Sequence, residues 1–221
     1  MSTITAIKSS WLTVNSSCQL RCAWCYAKDR DYDPKGDVTC ETAIRLIDIM
    51  SDLGVETCKI LGGEPSIYPH IVPILNRLKQ RSIRSVIITN GIRYSDREVM
   101  RRHFEAGLDS LIISLKAGSQ ATYKELTGAP VLDRVHQAVK NLQEFRGGVT
   151  ITITQEMQDE IIPAISDVVS VGAKFINLHF CSPTVMSGAP ENHSMIAPDK
   201  AAIAMMIAVE HLEKLGVSYN V

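Results

Sequence analysis

The chain has 221 residues, 45% hydrophobic and 21% charged, with a formal net charge of −1. That length and balance suit one globular domain, 1–221, with a sizeable core, and near-neutrality argues against nucleic acid or a charged membrane surface as a partner. The opening MSTITAIKSSWLTV lacks the apolar core of a secretion signal, and no apolar run reaches the ~18–20 residues of a membrane span. The expected setting is cytoplasmic and reducing, where clustered cysteines bind metal or do chemistry rather than pair.

In chain order, SWLTVN (10–15) reads as a first strand, followed by a loop with Cys18, Cys22 and Cys25. A charged stretch at 27–37 is expected to be a solvated loop, and a helix follows over about 40–53. The second strand, TCKIL (57–61), leads into GGEP (62–65) and a helix at 69–80. SVIITN (85–90) ends in Asn90-Gly91; the next helix, 95–106, opens on Ser95-Asp96 and closes at Gly107. SLIISL (110–115) is followed by KAG (116–118) and a helix at 131–145. VTITIT (149–154) precedes a helix at 159–171, and FINLHF (175–180) precedes CSPT (181–184) and a last helix at 198–214. The methionines of AAIAMMIAVEHL are expected in the core of that helix, and Cys40 and Cys58 as small buried thiols.

Six βα units in succession predict a parallel sheet with helical crossovers. Alternation within the strands refines this. Leu111, Ile113 and Leu115 share one face, with Ser110, Ser114 and Lys116 on the other; Thr150, Thr152 and Thr154 oppose Val149, Ile151 and Ile153. Thr13 and Asn15, and Asn177, His179 and Cys181, likewise share faces. A doubly wound sheet, buried on both sides, favours continuously apolar strands. One apolar and one partly polar face instead predict a partial (β/α)6 TIM-like barrel of parallel strands around a ligand cavity, with its chemistry at the strands' carboxyl ends.

Three thiols in eight residues fit neither a closed four-ligand zinc site nor a disulfide framework. An iron–sulfur cubane normally takes four thiolates, so three leave one iron open to a chelating small molecule. A zinc site completed by a distant residue such as His179 is the alternative. CxxxCxxC with Trp24 and Tyr26 after a first strand, and GGEP after the second, resembles the radical S-adenosylmethionine (radical SAM) superfamily, over essentially the whole chain. The branch it most resembles is peptide-maturase-like.

That resemblance implies that Cys18, Cys22 and Cys25 ligate a [4Fe-4S] cluster whose fourth iron is chelated by SAM. One electron, from a donor such as flavodoxin or ferredoxin, then cleaves SAM to a 5′-deoxyadenosyl radical that abstracts hydrogen from a substrate. It also implies that Trp24 packs near adenine, that Gly62, Gly63 and Glu64 receive the methionine amino group, and that Ser114 reaches the ribose. Tyr26, Asn90 and Thr154 are grouped with these as cofactor contacts, although Asn90-Gly91 also reads as an ordinary turn pair and Glu64 as a loop-ordering carboxylate. Lys116 stands where many relatives carry an acid, which predicts pairing with the SAM carboxylate or an anionic substrate. Lys116, His179 and Cys181 are the candidates for substrate chemistry; a satisfied inner-face histidine is the plainer reading of His179. The expected substrate is an amino acid or peptide, with a small molecule or nucleotide as the alternative. A non-catalytic iron–sulfur or zinc protein is the rival of another class. No cysteine follows Cys181, so the cysteine-rich extension of peptide-modifying relatives is not in this sequence, which is either a minimal core or part of a longer chain.

Overall fold

The computed structural model describes residues 7–25, 34–181 and 195–221. Seven parallel strands form one sheet in the order in which they occur. They are β1 (Ser9–Thr13), β2 (Thr57–Leu61), β3 (Arg84–Thr89), β4 (Ser110–Leu115), β5 (Gly147–Ile153), β6 (Phe175–Phe180) and β7 (Ser218–Asn220). The helices are α1 (Cys40–Asp52), α2 (Ile71–Gln80), α3 (Arg97–Glu105), α4 (Gln120–Thr127), α5 (Leu132–Leu142), α6 (Ile161–Ser170) and α7 (Pro198–Leu215). A doubly wound sheet reverses strand order at a switch point. Here the order never reverses, and right-handed crossovers therefore put the helices on one side. The result is the expected partial barrel.

Two elements depart from the sequence reading. The barrel has a seventh strand, because Ser218–Asn220 pairs with β6 in the register Phe175↔Ser218 to Asn177↔Asn220. The β4–β5 crossover has two helices instead of one, and α4 is the unexpected one. It starts at Ser119, whose hydroxyl accepts the Thr122 N–H, and ends at left-handed Gly128.

The helix-facing side of the sheet is the core. Leu111, Ile113, Leu115, Val149, Ile151 and Ile153 are fully buried there, against residues such as Ile74, Leu75, Val135 and Ile165. The opposite side is mixed. Over β2–β4 it combines Leu61, Val86, Ile88 and Ile112 with Lys59, Ser110 and Ser114, and over β5–β6 it carries Thr150, Thr152, Asn177 and His179. The partly polar inner face expected from alternation is therefore present. The methionine expectation holds for Met205, which is half-buried against the core, and is corrected for Met206. Helix α7 packs inward through Ala201, Ala204, Ala208 and Leu212, while Met206 is 72% exposed beside exposed Ile203 and Ile207. Cys58 is buried, but Cys40 at the start of α1 is only half-buried. Among the described residues no helix is long and apolar enough to cross a membrane.

Candidate active site

The loop after β1 carries Cys18, Cys22 and Cys25, all half-buried. It is clamped from two sides by main-chain hydrogen bonds. On one side Gly63 and Glu64 donate their N–H groups to the carbonyls of Asn15 (2.7 Å) and Ser17 (2.8 Å). On the other, Arg21 and Ala23, which flank Cys22, donate to the carbonyls of Thr127 (2.8 Å) and Leu126 (2.9 Å) in the last turn of α4. Helix α4 thus supplies acceptors its own geometry leaves unpaired. Within the loop, Cys25 N–H closes a turn onto the Cys22 carbonyl at 3.0 Å.

The glycines of GGEP have a structural reason to be glycine. A Cβ on Gly62 would lie 2.2 Å from Asn15 Oδ1, and one on Gly63 would lie 2.3 Å from the carbonyl oxygens of Ser16 and Ser17. The missing side chains admit the cysteine loop itself. Asn15 braces the same junction through Nδ2, which donates to the carbonyls of Ser17 (3.2 Å) and Glu64 (3.0 Å).

Glu64 is 1% exposed. Its Oε1 accepts from Ser66 N–H (3.0 Å) and Thr89 Oγ1 (2.6 Å), and its Oε2 from Asn90 N–H (2.7 Å). The carboxylate ties the end of β3 to GGEP, which is a loop-ordering role; it leaves lone-pair capacity on Oε2. Asn90 extends the tie to the cysteine loop. Its Nδ2 donates to Gln19 Oε1 at 3.1 Å and lies 3.8 Å from Cys18 Sγ, while its Oδ1 accepts from Ile92 N–H as in a turn. Thr89 and Gln19 are members of this network that sequence reasoning missed; Thr89, on the core-facing register of β3, carried no signal.

The thiols feel their surroundings differently. Burial pushes Cys18 up to about 11, with the negative charges of Glu64, Cys22 and Cys25 adding to it and the Leu20 N–H opposing it. Burial also raises Cys22, but the Lys116 ammonium favours its thiolate. Lys116 is half-buried and lies over the Trp24 ring, 5.8 Å from its centroid, a cation–π contact. The other candidates sit at the carboxyl ends of the neighbouring strands β4, β5 and β6. Ser114 is buried in β4, and buried Thr154 spends its Oγ1 on the Met157 N–H at 3.2 Å. His179 is exposed in β6, while Cys181 is buried just beyond, its thiol raised by burial and by nearby Glu156. Tyr26, most of the 27–37 stretch and the remainder of CSPT lie outside the described residues.

Three thiols on one short loop match the thiolate donor set of an iron–sulfur cluster. Among the described residues no three His, Cys, Asp or Glu side chains are grouped to hold a single metal ion.

A partial parallel barrel with this loop at its carboxyl end defines a class of enzyme cores built around a cluster. The radical SAM superfamily model matches residues 12–160, and the chain belongs to that superfamily. Its members use a [4Fe-4S] cluster and S-adenosylmethionine. A probable GTP 3′,8-cyclase of Thermococcus kodakarensis is 31% identical over 144 residues, 63% of this chain and 46% of that protein. A probable GTP 3′,8-cyclase of Pyrococcus horikoshii is 34% identical over 130 residues, 58% of this chain and 41% of that protein. The chain therefore spans less than half the length of these curated relatives. Among solved structures, Streptococcus suis SuiB bound to precursor peptide SuiA matches 98% of this chain and 49% of its own, with a TM-score of 0.80 at 18% identity. Native anSMEcpe with bound AdoMet and a peptide matches 96% of this chain and 63% of its own, with a TM-score of 0.78 at 13% identity. At such identities the likeness is one of fold.

Proposed function

We propose that residues 1–221 form the core of a radical SAM enzyme whose substrate is a nucleotide or related small molecule. The observation that carries the chemistry is the cysteine loop clamped between GGEP and α4, with Lys116 aimed at Cys22 and Trp24. The substrate class rests on the two relatives named as probable GTP 3′,8-cyclases, whose likeness is one of sequence. The peptide substrate expected from GGEP is supported only by likeness of fold and takes second place.

When bound, the cluster and SAM supply one-electron cleavage and hydrogen-atom abstraction. The chain's own residues do the rest. Cys18, Cys22 and Cys25 would hold three irons, losing their protons as metal binds. Lys116 offsets part of the negative charge that gathers on Cys22, and Trp24 offers an aromatic face to a planar ligand. Glu64 and Asn90 fix the junction of β2, β3 and the cysteine loop, so the donors keep their spacing when loaded. The mixed inner face suits a ligand with a flat apolar ring and a polar remainder.

The test is anaerobic reconstitution with iron and sulfide, then SAM, dithionite and deuterated candidate substrates. Deuterium should appear in 5′-deoxyadenosine with a nucleotide and not with peptides. Replacing Cys18, Cys22 and Cys25 together by alanine should abolish the visible charge-transfer absorption and SAM cleavage. Deuterium transfer from a peptide alone would reverse the order of the substrate readings, and SAM cleavage by the triple variant would overturn the cluster assignment.

A further inference from the structure

Helix α4, which holds the cysteine loop through its last carbonyls, carries a second feature. Tyr123 is completely buried, one turn before the Leu126 and Thr127 carbonyls that hold Arg21 and Ala23 on either side of Cys22. Its backbone is engaged, since its carbonyl accepts Thr127 Oγ1 at 2.7 Å. Its phenolic oxygen makes no hydrogen bond among the described residues. A buried hydroxyl without a partner costs free energy, and a phenylalanine would fill the same volume without that cost. Burial above all, and then negative charge on Cys22 or Glu64, keeps this phenol protonated. It is therefore a fixed O–H donor in an apolar setting, within electrostatic reach of a proposed cluster ligand.

We infer that the Tyr123 hydroxyl is a positioning and tuning group for the cluster, donating a hydrogen bond on the Cys22 side once the loop is loaded. Donors to cluster or thiolate sulfur stabilise the added negative charge of the reduced state and raise the reduction potential. A neutral donor does this without another buried charge. The phenol would thus ease the one-electron step that starts the reaction.

Tyr123→Phe in the full chain tests this without reference to any substrate. In the reconstituted protein the variant should keep wild-type iron and sulfide content. Its cluster should be about tenfold harder to reduce at equilibrium, a midpoint 59 mV lower for a one-electron couple, with an altered electron paramagnetic resonance spectrum of the reduced state. Without metal the variant should melt at the wild-type temperature or above, because the hydroxyl it loses has no partner there. An unchanged midpoint in a fully loaded variant overturns the proposal. So does a lower melting temperature of the metal-free variant, which would show that the hydroxyl serves the fold. A change in substrate specificity bears on the nucleotide reading and leaves this measurement untouched.

Discussion

Gly63 and Lys116 show how single residues set the geometry of the site. Gly63 faces backbone oxygens of the cysteine loop, and a methyl there would sit 2.3 Å from the carbonyl oxygens of Ser16 and Ser17. Neither oxygen can swing away as a side-chain tip could, so Gly63→Ala must displace the cysteine loop. We expect a loss of about 2 kcal/mol in the metal-free protein and poor iron retention, read by thermal melts and iron analysis; normal melting with full iron content would refute the packing account. In sequence the GGEP glycines read as room for a ligand, because the loop they press against lies some fifty residues earlier and only the fold brings it there. Lys116 was legible as an inner-face cation from alternation, but its partner was not. Lys116→Met should keep the cluster and lower turnover at least tenfold, equivalent to about 1.4 kcal/mol, because it removes the positive charge beside Cys22 and Trp24. Retained SAM cleavage with lost product would place its effect on the substrate, whereas loss of both would place it on SAM.

Among the elements, strands were the most readable, because an apolar helix-facing side leaves a period of two in the sequence. Helix α4 was not, for a physical reason: much of its start is secured from elsewhere in the chain. Glu160, forty residues away and just before α6, accepts from the N–H groups of Gly118 (2.9 Å) and Ser119 (3.1 Å) and from the hydroxyls of Ser119 (2.8 Å) and Thr122 (2.6 Å). Burial works against this carboxylate, but the Thr122 and Ser119 hydroxyls and the two N–H donors outweigh it and lower its pKa. Since α4 also holds the Cys22 segment, the cap reaches the metal site through the helix. Glu160→Ala should cost about 1–2 kcal/mol, as lost caps do, and slow cluster loading, while Glu144→Ala on the exposed surface should do neither. Equal loading in both variants, measured by iron uptake over time, would uncouple α4 from the loop. Strand β7 escaped notice because three residues carry too little alternation to register, and Met206 because α7 turns its small residues, not its large ones, to the core.

At the scale of the whole molecule, the groups with displaced titration predict how stability depends on pH. His103 is buried in α3 with its Nδ1 2.9 Å from the Tyr94 hydroxyl; burial, then the charges of Arg102 and Arg93, lower its pKa from 6.5 to about 4. The unfolded chain therefore binds the proton first, so the stability His103 contributes is complete above about pH 6.5 and is lost as pH falls toward 4. At about 1.4 kcal/mol for each tenfold difference in proton affinity between the folded and unfolded chain, the loss is on the order of 3 kcal/mol. A second decline follows in stronger acid. Asp48, held down to about 2 by hydrogen bonds from Arg77 and then Arg81, contributes stability that disappears as pH falls from its ordinary value near 4 to about 2. The alkaline side has the opposite sign: burial lifts Cys58 up to about 12 from 9, so its contribution is whole below pH 9 and fades as pH rises through that window. The metal-free chain should accordingly be most stable between about pH 6.5 and 9. His103→Gln, which still offers an acceptor to Tyr94, should flatten the curve between pH 6.5 and 4 and leave the decline below 4 in place. Denaturant titrations at half-unit pH steps measure both slopes, and an unchanged slope between 6.5 and 4 in the variant would mean that His103 is charged in the folded protein.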